Sequence, residues 1–355
     1  MALKTVGKAP VRVGVVGCGV VAGYGHIPAI HRAPEAKLVG FADPNRERRE
    51  AEAAKYDCPC FESFEEMARE VEMDAVSIPT QPNIKLDMIR IAAANGLHAF
   101  CEKPLTDTAE QAEELMRLMD EAGLFVGMAF VYRGKKTVQR MMELVREGAI
   151  GKLRAVHLEN MWDYHGLRDE SERGNRRHRA LENLGTLDCG VHNLDLGRYM
   201  TGGEYGEIHA VGAIVEKVNP YPDHIVVNSR MSNGVLLSIE ESAVWGYTAK
   251  DRPTYAQSYR MVGENGVLST GFGDWGSAVQ HGVLYIVSGE KQWTEELSAD
   301  KAWDETYRQF FQVILGREPA HRFLADGHDA LANMRVAREV VRQARNGDST
   351  TGEAT

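Results

Sequence analysis

Lys103 is the residue whose setting most suggests chemistry. It lies in Glu102-Lys103-Pro104, directly after the apolar run Leu97-His98-Ala99-Phe100-Cys101, which reads as a buried strand. Strand ends in open parallel sheets are where ligands bind. A residue before proline is pushed out of the helical region, so the chain direction at Lys103 is restricted. Taken alone, the lysine reads equally well as a solvated charge in a strand-to-helix loop.

A second group is Gly17-Cys18-Gly19-Val20-Val21-Ala22, a G-x-G-x-x-A pattern that follows the valine-rich run Val11–Val16. Gly17 permits a tight turn, Gly19 lets the backbone approach a pyrophosphate, and the small Ala22 lets a helix pack closely on the strand. The unpaired N–H groups and dipole of that helix N-terminus favour an anion. Asp43 ends the next strand, at about the twenty-residue spacing where a ribose diol is read. A carboxylate there accepts hydroxyl hydrogen bonds and repels a 2′-phosphate, so NAD is expected. Arg46 and Arg48 keep NADP open.

The third group is Gly185-Thr186-Leu187-Asp188-Cys189-Gly190-Val191-His192-Asn193. Asp188 and His192 are four apart and share one face of a helix. A carboxylate beside an imidazole orients it, fixes its tautomer and raises its pKa, which suits a general base. The same spacing also fits a helix cap or a surface pair.

These residues need elements to hold them. Strands at Val11–Val16, Lys37–Ala42, Asp74–Ile78, Leu97–Cys101 and Leu124–Phe130 alternate with helices at Val20–Arg32, Asn45–Lys55, Asn83–Ala94 and Thr108–Glu121. Short apolar runs separated by amphipathic helices predict a parallel sheet covered on both faces. After Tyr132 the texture changes. A helix at Thr137–Glu147 and a strand at Lys152–Trp162 precede a helix at Leu187–Met200. Strand follows strand from Glu207 to Val287, with turns at Ser232-Asn233-Gly234 and Gly263–Gly266, and helices at Trp303–Leu315 and Gly327–Arg345 close the chain. The expected fold is an α/β Rossmann domain with a doubly wound parallel sheet (residues 1–131), then an α+β domain with a large, mostly antiparallel open sheet (132–346). A flexible tail (347–355) is expected after them.

The bulk properties limit the partners. With 355 residues and a net charge of −10, the chain lacks the basic balance of nucleic-acid modules, so none is expected as a partner. Five cysteines form no disulfide framework and fit a cytoplasmic setting. Cys58-Pro59-Cys60 is too tight for a redox pair, and Asp163 with His165 lacks further ligands, so no metal site is expected. No apolar stretch is long enough to cross a membrane. Arg173, Arg176, Arg177 and Arg179 form a local basic loop that suits a solvated or subunit-contact role, or an acidic ligand.

The chain resembles the Gfo/Idh/MocA family of glucose–fructose oxidoreductase and inositol dehydrogenase. The likeness is carried by the glycine turn running into His26-Ile27-Pro28-Ala29-Ile30, by Val76–Pro82, by Ala94–His98 leading to Glu102-Lys103-Pro104, by Glu147–Lys152 and by Asp188 with His192. The resemblance implies a catalytic group of Lys103, Asp188 and His192. Gly17, Gly19, Val20, Val21, Ala22 and Asp43 match cofactor positions, and Thr80, Gln81 and Glu102 line the nicotinamide side with Lys103. Tyr132 and Arg133 match an element near the substrate. Asp163, His165 and Arg168, just before the catalytic helix, could also reach a sugar. One departure stands out: Lys85 occupies a position where many relatives have histidine, and Gln81 replaces a common proline.

The implied activity is NAD(P)-dependent hydride transfer from a secondary hydroxyl of a sugar, cyclitol or related polyol. The alternatives are redox-assisted glycosidase action and a non-enzymatic nucleotide-sensing regulator. A homodimer or homotetramer through the C-terminal sheet is expected, because an open sheet face calls for cover.

Overall fold

The computed structural model describes residues 3–162, 185–214, 222–242, 255–270, 281–298, 300–319 and 321–346. Two compact units divide the chain: Met1–Gly134 with Lys301–Met334, and Lys135–Asp300 with Arg335–Thr355.

The first unit is built on strands β1 (Val11–Val16), β2 (Ala36–Ala42), β3 (Cys60–Phe61), β4 (Ala75–Ile78), β5 (His98–Cys101) and β6 (Val126–Met128). They lie in the order β6-β5-β4-β1-β2-β3, all parallel, and a short antiparallel strand, Ala325–Asp326, pairs with β6. The sheet is doubly wound, and chain order reverses between β1 and β4. Every residue of β4 and β5 is buried, as expected of parallel strands covered on both faces.

Helices α1 (Ile27–Arg32), α2 (Arg46–Tyr56), α3 (Phe64–Glu70), α4 (Pro82–Ala94) and α5 (Ala109–Ala122) make the crossovers. A π-helical turn, Ala22–His26, joins α1 to the glycine turn. The side chains of Asn45, Ser63 and Thr108 accept backbone N–H bonds at the starts of α2, α3 and α5. Pro82 opens α4, where a missing N–H costs nothing, and Gly123 closes α5 in the left-handed region. Beyond the sequence expectation, the structure adds β3 and α3.

The helix Trp303–Ile314 belongs to this unit, whereas the sequence reading groups residues 132–346 as the second domain. Its buried stripe, Trp303, Tyr307, Phe310, Phe311 and Ile314, explains the return. Phe100 of β5 meets Tyr307 at 4.2 Å and Phe310 at 5.3 Å between ring centroids. Gly127 on β6 makes room, since a Cβ there would lie 2.8 Å from Phe310 and 2.9 Å from Phe100. Each fully buried large apolar side chain contributes roughly 1.5–3 kcal/mol.

Among the described residues the second unit carries eight strands: β7 (Leu153–Trp162), β8 (Tyr205–Ala213), β9 (His224–Met231), β10 (Leu236–Ser242), β11 (Tyr255–Gly263), β12 (Gly266–Thr270), β13 (His281–Ser288) and β14 (Lys291–Ser298). Their order is β14-β13-β12-β11-β7-β10-β9-β8, antiparallel except between β7 and β10. Strand β9 alternates buried and exposed positions, the pattern of a sheet with one wet face. Helices α6 (Lys136–Arg146) and α7 (Gly185–Thr201) pack on the sheet, α7 against β7 and β10. At Gly197 of α7 a Cβ would come within 2.6 Å of Leu237 on β10, so glycine permits the close approach. On the other face, Leu236, Ala155, Val262, Val267 and Val287 stand in one register row across five strands. Leu236 and Val287 are exposed.

Candidate active site

The carboxyl ends of β1, β2, β4 and β5 lead into Gly17, Asp43, Thr80 and Glu102-Lys103. These four ends flank the switch point, where open α/β sheets bind ligands. The Gly17 N–H donates to Ala42 O at 2.8 Å, and its φ of 101° lies in the left-handed region that glycine favours. A Cβ on Gly17 would meet Thr80 Cγ2 at 2.9 Å. The turn is thereby seated against the end of β4.

Asp43 is buried, and both carboxylate oxygens are held. Oδ2 accepts the Cys18 N–H at 2.7 Å and Oδ1 accepts the Asn45 N–H at 2.8 Å. A carboxylate has about four acceptor positions, so two remain for hydroxyl donors. Arg46 is taken up by Glu50 on its own helix at 2.7 Å.

A buried polar group stands behind the Glu102-Lys103 end. His26 Nδ1 lies 2.7 Å from Tyr307 Oη and 3.1 Å from Ser77 Oγ, and the two hydroxyls are 2.7 Å apart. His26 Nε2 faces Glu102 Oε1 at 3.8 Å, an electrostatic contact beyond direct hydrogen-bond length. Burial lowers the His26 pKa and holds the imidazole neutral near pH 7. Burial alone would raise the Glu102 carboxyl. His26 and the charges of Lys103 and Lys85 outweigh it and keep Glu102 below the usual range. Lys103 is half-buried, whereas Cys101, Glu102, Pro104, Leu105 and Thr106 around it are buried.

In the second unit, positions 188 and 192 are four apart on α7. The Asp188 side chain lies outside the described residues; His192 is buried. Beneath α7 runs a polar chain that the sequence reading misses. Asn160 Nδ2 donates to Glu241 Oε2 at 2.7 Å, Gln257 Nε2 donates to Asn160 Oδ1 at 3.3 Å, and Tyr259 Oη donates to Gln257 Oε1 at 3.0 Å. Lys135 Nζ donates to the same Gln257 oxygen. Gly190 of α7 lies over Glu241, where a Cβ would be 3.3 Å from Glu241 Cγ. Burial pushes the Glu241 carboxyl well above its ordinary range, and the amides of Asn160 and Asn193 offset only part.

Tyr132 is buried with the Lys301 ammonium 5.9 Å from its ring centroid. Arg133 is buried and Nη1 donates to Asp329 Oδ2 at 3.0 Å. Asp163, His165, Arg168, the basic loop 173–179 and the tail 347–355 lie outside the described residues. Among the described residues no cluster of three metal-ligating side chains occurs, and no helix is long and apolar enough to cross a membrane.

The first unit fits a dinucleotide on its own features. A Cβ at Gly19 would meet nothing within 4 Å, which leaves an open cradle beside the backbone. Val20, at the helix start, is exposed, and Ala22 is fully buried. Thr80 Oγ1 is buried and has no hydrogen-bond partner among the described residues. Together with Asp43, these groups suit an anion flanked by hydroxyl and amide groups. The fold defines a dinucleotide-binding protein of the Rossmann class with a separate, mostly antiparallel unit. The chain belongs to the GFO/IDH/MocA oxidoreductase family: residues 11–130 match the family's NAD-binding Rossmann fold and residues 138–269 its C-terminal domain.

Among curated proteins, it is 28% identical to UDP-N-acetylglucosamine 3-dehydrogenase of Acidithiobacillus ferrooxidans, over 63% of this chain and 66% of that protein. It is 25% identical to myo-inositol 2-dehydrogenase of Thermotoga maritima, over 94% of this chain and 97% of that one. Among solved structures, an oxidoreductase from Agrobacterium radiobacter in complex with NAD+, L-tartaric acid and magnesium superposes with a TM-score of 0.81. That match is 16% identical and covers 95% of this chain and 97% of that one, so it speaks for the fold.

Proposed function

We propose that the protein transfers hydride between a secondary hydroxyl of a sugar, cyclitol or related polyol and NAD. The observation that carries this reading is the gathering of Gly17, Asp43, Thr80 and Glu102-Lys103 at neighbouring strand ends beside the switch point. The relatives named for dehydrogenation of a nucleotide sugar and of an inositol support the substrate class.

Gly17, Gly19, Val20, Val21 and Ala22 hold the pyrophosphate, Asp43 holds the adenosine ribose, and Thr80, Gln81 and Glu102 line the nicotinamide side. NAD, when bound, supplies the hydride acceptor. His192 takes the proton from the reacting hydroxyl, and Asp188 orients its ring. Positioned acid–base catalysis of this kind contributes on the order of 10²–10⁴-fold. Lys103 donates to the same hydroxyl oxygen and stabilises the alkoxide that develops as the proton leaves. Tyr132, Arg133, Asp163, His165 and Arg168 shape the substrate side.

Asp43 favours NAD over NADP, because its carboxylate repels a 2′-phosphate. The apolar row Leu236, Ala155, Val262, Val267 and Val287 supports pairing of two copies through the open sheet face. A cytoplasmic setting is part of this reading, from the sparse and odd number of cysteines in the sequence. The test is a screen of sugars, inositols and sugar acids for NADH formation, with NADP run in parallel. Reduction of NAD by at least one polyol is expected; no reduction by any of them would contradict the reading.

A further inference from the structure

Lys85 is the sequence departure that the proposed chemistry leaves unused. It is the fourth residue of α4 and is fully buried, an unusual place for a lysine. Its ammonium donates to the carbonyl oxygen of Glu102 and, at 2.5 Å, to that of Pro104. These carbonyls lie one residue before and one residue after Lys103. The ionised Glu102 carboxylate also feels the Lys85 charge.

A buried ammonium is costly to desolvate, and an apolar side chain of similar length would fill the same space without that cost. The geometry gives the charge a task. An ammonium carries three donors on one rotatable atom, so it can bridge two carbonyls that flank a single residue. An imidazole presents at most one donor from each of two diverging nitrogens. Within Cys101–Thr106, Lys103 alone is not buried, so what Lys85 clamps is the backbone on either side of the one residue of this stretch that stays partly accessible.

We propose that Lys85 is the positioning residue of Lys103, a buried clamp on the carbonyls at either side of it. The clamp itself follows from the geometry. Its consequence for turnover rests on the dehydrogenase reading above.

The test compares wild type, Lys85→Met and Lys85→Arg by hydrogen exchange of the peptide spanning residues 101–107, with and without NAD+. In Lys85→Met, exchange in this peptide should quicken at least tenfold, while the rest of the first unit exchanges as in wild type and the Kd for NAD+ stays within twofold. Lys85→Arg, which keeps charge and multiple donors, should recover most of the protection. Should Lys85→Met fail to fold, Lys85→Gln takes its place and should show the same local quickening. Wild-type exchange across 101–107 in a folded Met or Gln variant would overturn the proposal.

With a polyol that wild type oxidises, kcat should fall at least tenfold in Lys85→Met and the KM for NAD+ should stay within twofold. An unchanged kcat would overturn the positioning role. If wild type oxidises no polyol, the dehydrogenase reading fails, and the exchange comparison still decides the clamp.

Discussion

The Asp43 carboxylate accepts the Cys18 backbone N–H at 2.7 Å, which ties the end of β2 to the glycine turn after β1. The group proposed to read the ribose therefore also shapes the pyrophosphate turn. A hydrogen bond to a charged group is worth about 1.5–3 kcal/mol. Asp43→Ala should weaken NAD+ binding by roughly 10–100-fold on that scale, with a smaller loss for NADP+. Titration of both cofactors by fluorescence checks this, and equal losses for the two would contradict the ribose role.

Glu241 gives a pH signature in the second unit. Its folded pKa is raised above the unfolded value, so the folded state holds the proton more tightly. The contribution is fully present below the ordinary carboxyl range and is lost progressively as pH rises from that range up through the raised folded pKa. Glu241→Gln keeps a neutral group of the same shape. Measured by chemical denaturation, the variant should match wild type at about pH 4 and exceed it at pH 7.

His98 acts in the opposite sense. Burial lowers its pKa from 6.5 to about 4, and its Nδ1 accepts the Phe125 N–H at 3.0 Å. The unfolded chain binds this proton first as pH falls, so stability is lost between pH 6.5 and 4. At about 1.4 kcal/mol per pKa unit, the loss is on the order of 3–4 kcal/mol. His98→Gln should flatten the acid limb of the stability profile in that window.

The row Leu236, Ala155, Val262, Val267 and Val287 predicts self-association through the open sheet. Leu236→Asp with Val287→Asp should shift the sedimentation coefficient toward that of a monomer and leave NAD+ affinity unchanged. An unaltered coefficient would contradict pairing through this face.

Much of the first unit was legible because its signals are local. A glycine turn after a valine run, a proline at a helix start and an acidic strand end each act within a few residues. The place of Lys103 just beyond a strand end is legible for the same reason. The part of Tyr307 is not legible, because its hydroxyl meets His26 and Ser77 from positions 281 and 230 residues away. The same holds for Glu241, whose partner Asn160 lies 81 residues away. In a strand pattern a buried glutamate looks like an ordinary polar position until its neighbours are placed. The helix Trp303–Ile314 showed its apolar stripe in sequence, but nothing local says which sheet that stripe will cover.

Lys103 and His192 are each proposed to act on the reacting hydroxyl and not on cofactor affinity. Steady-state turnover of Lys103→Ala and His192→Ala, each with a polyol oxidised by wild type, tests this most directly. Each variant should lose turnover by about 10²-fold or more while binding NAD+ within a few-fold of wild type. Near-normal turnover in either variant would contradict that residue's role.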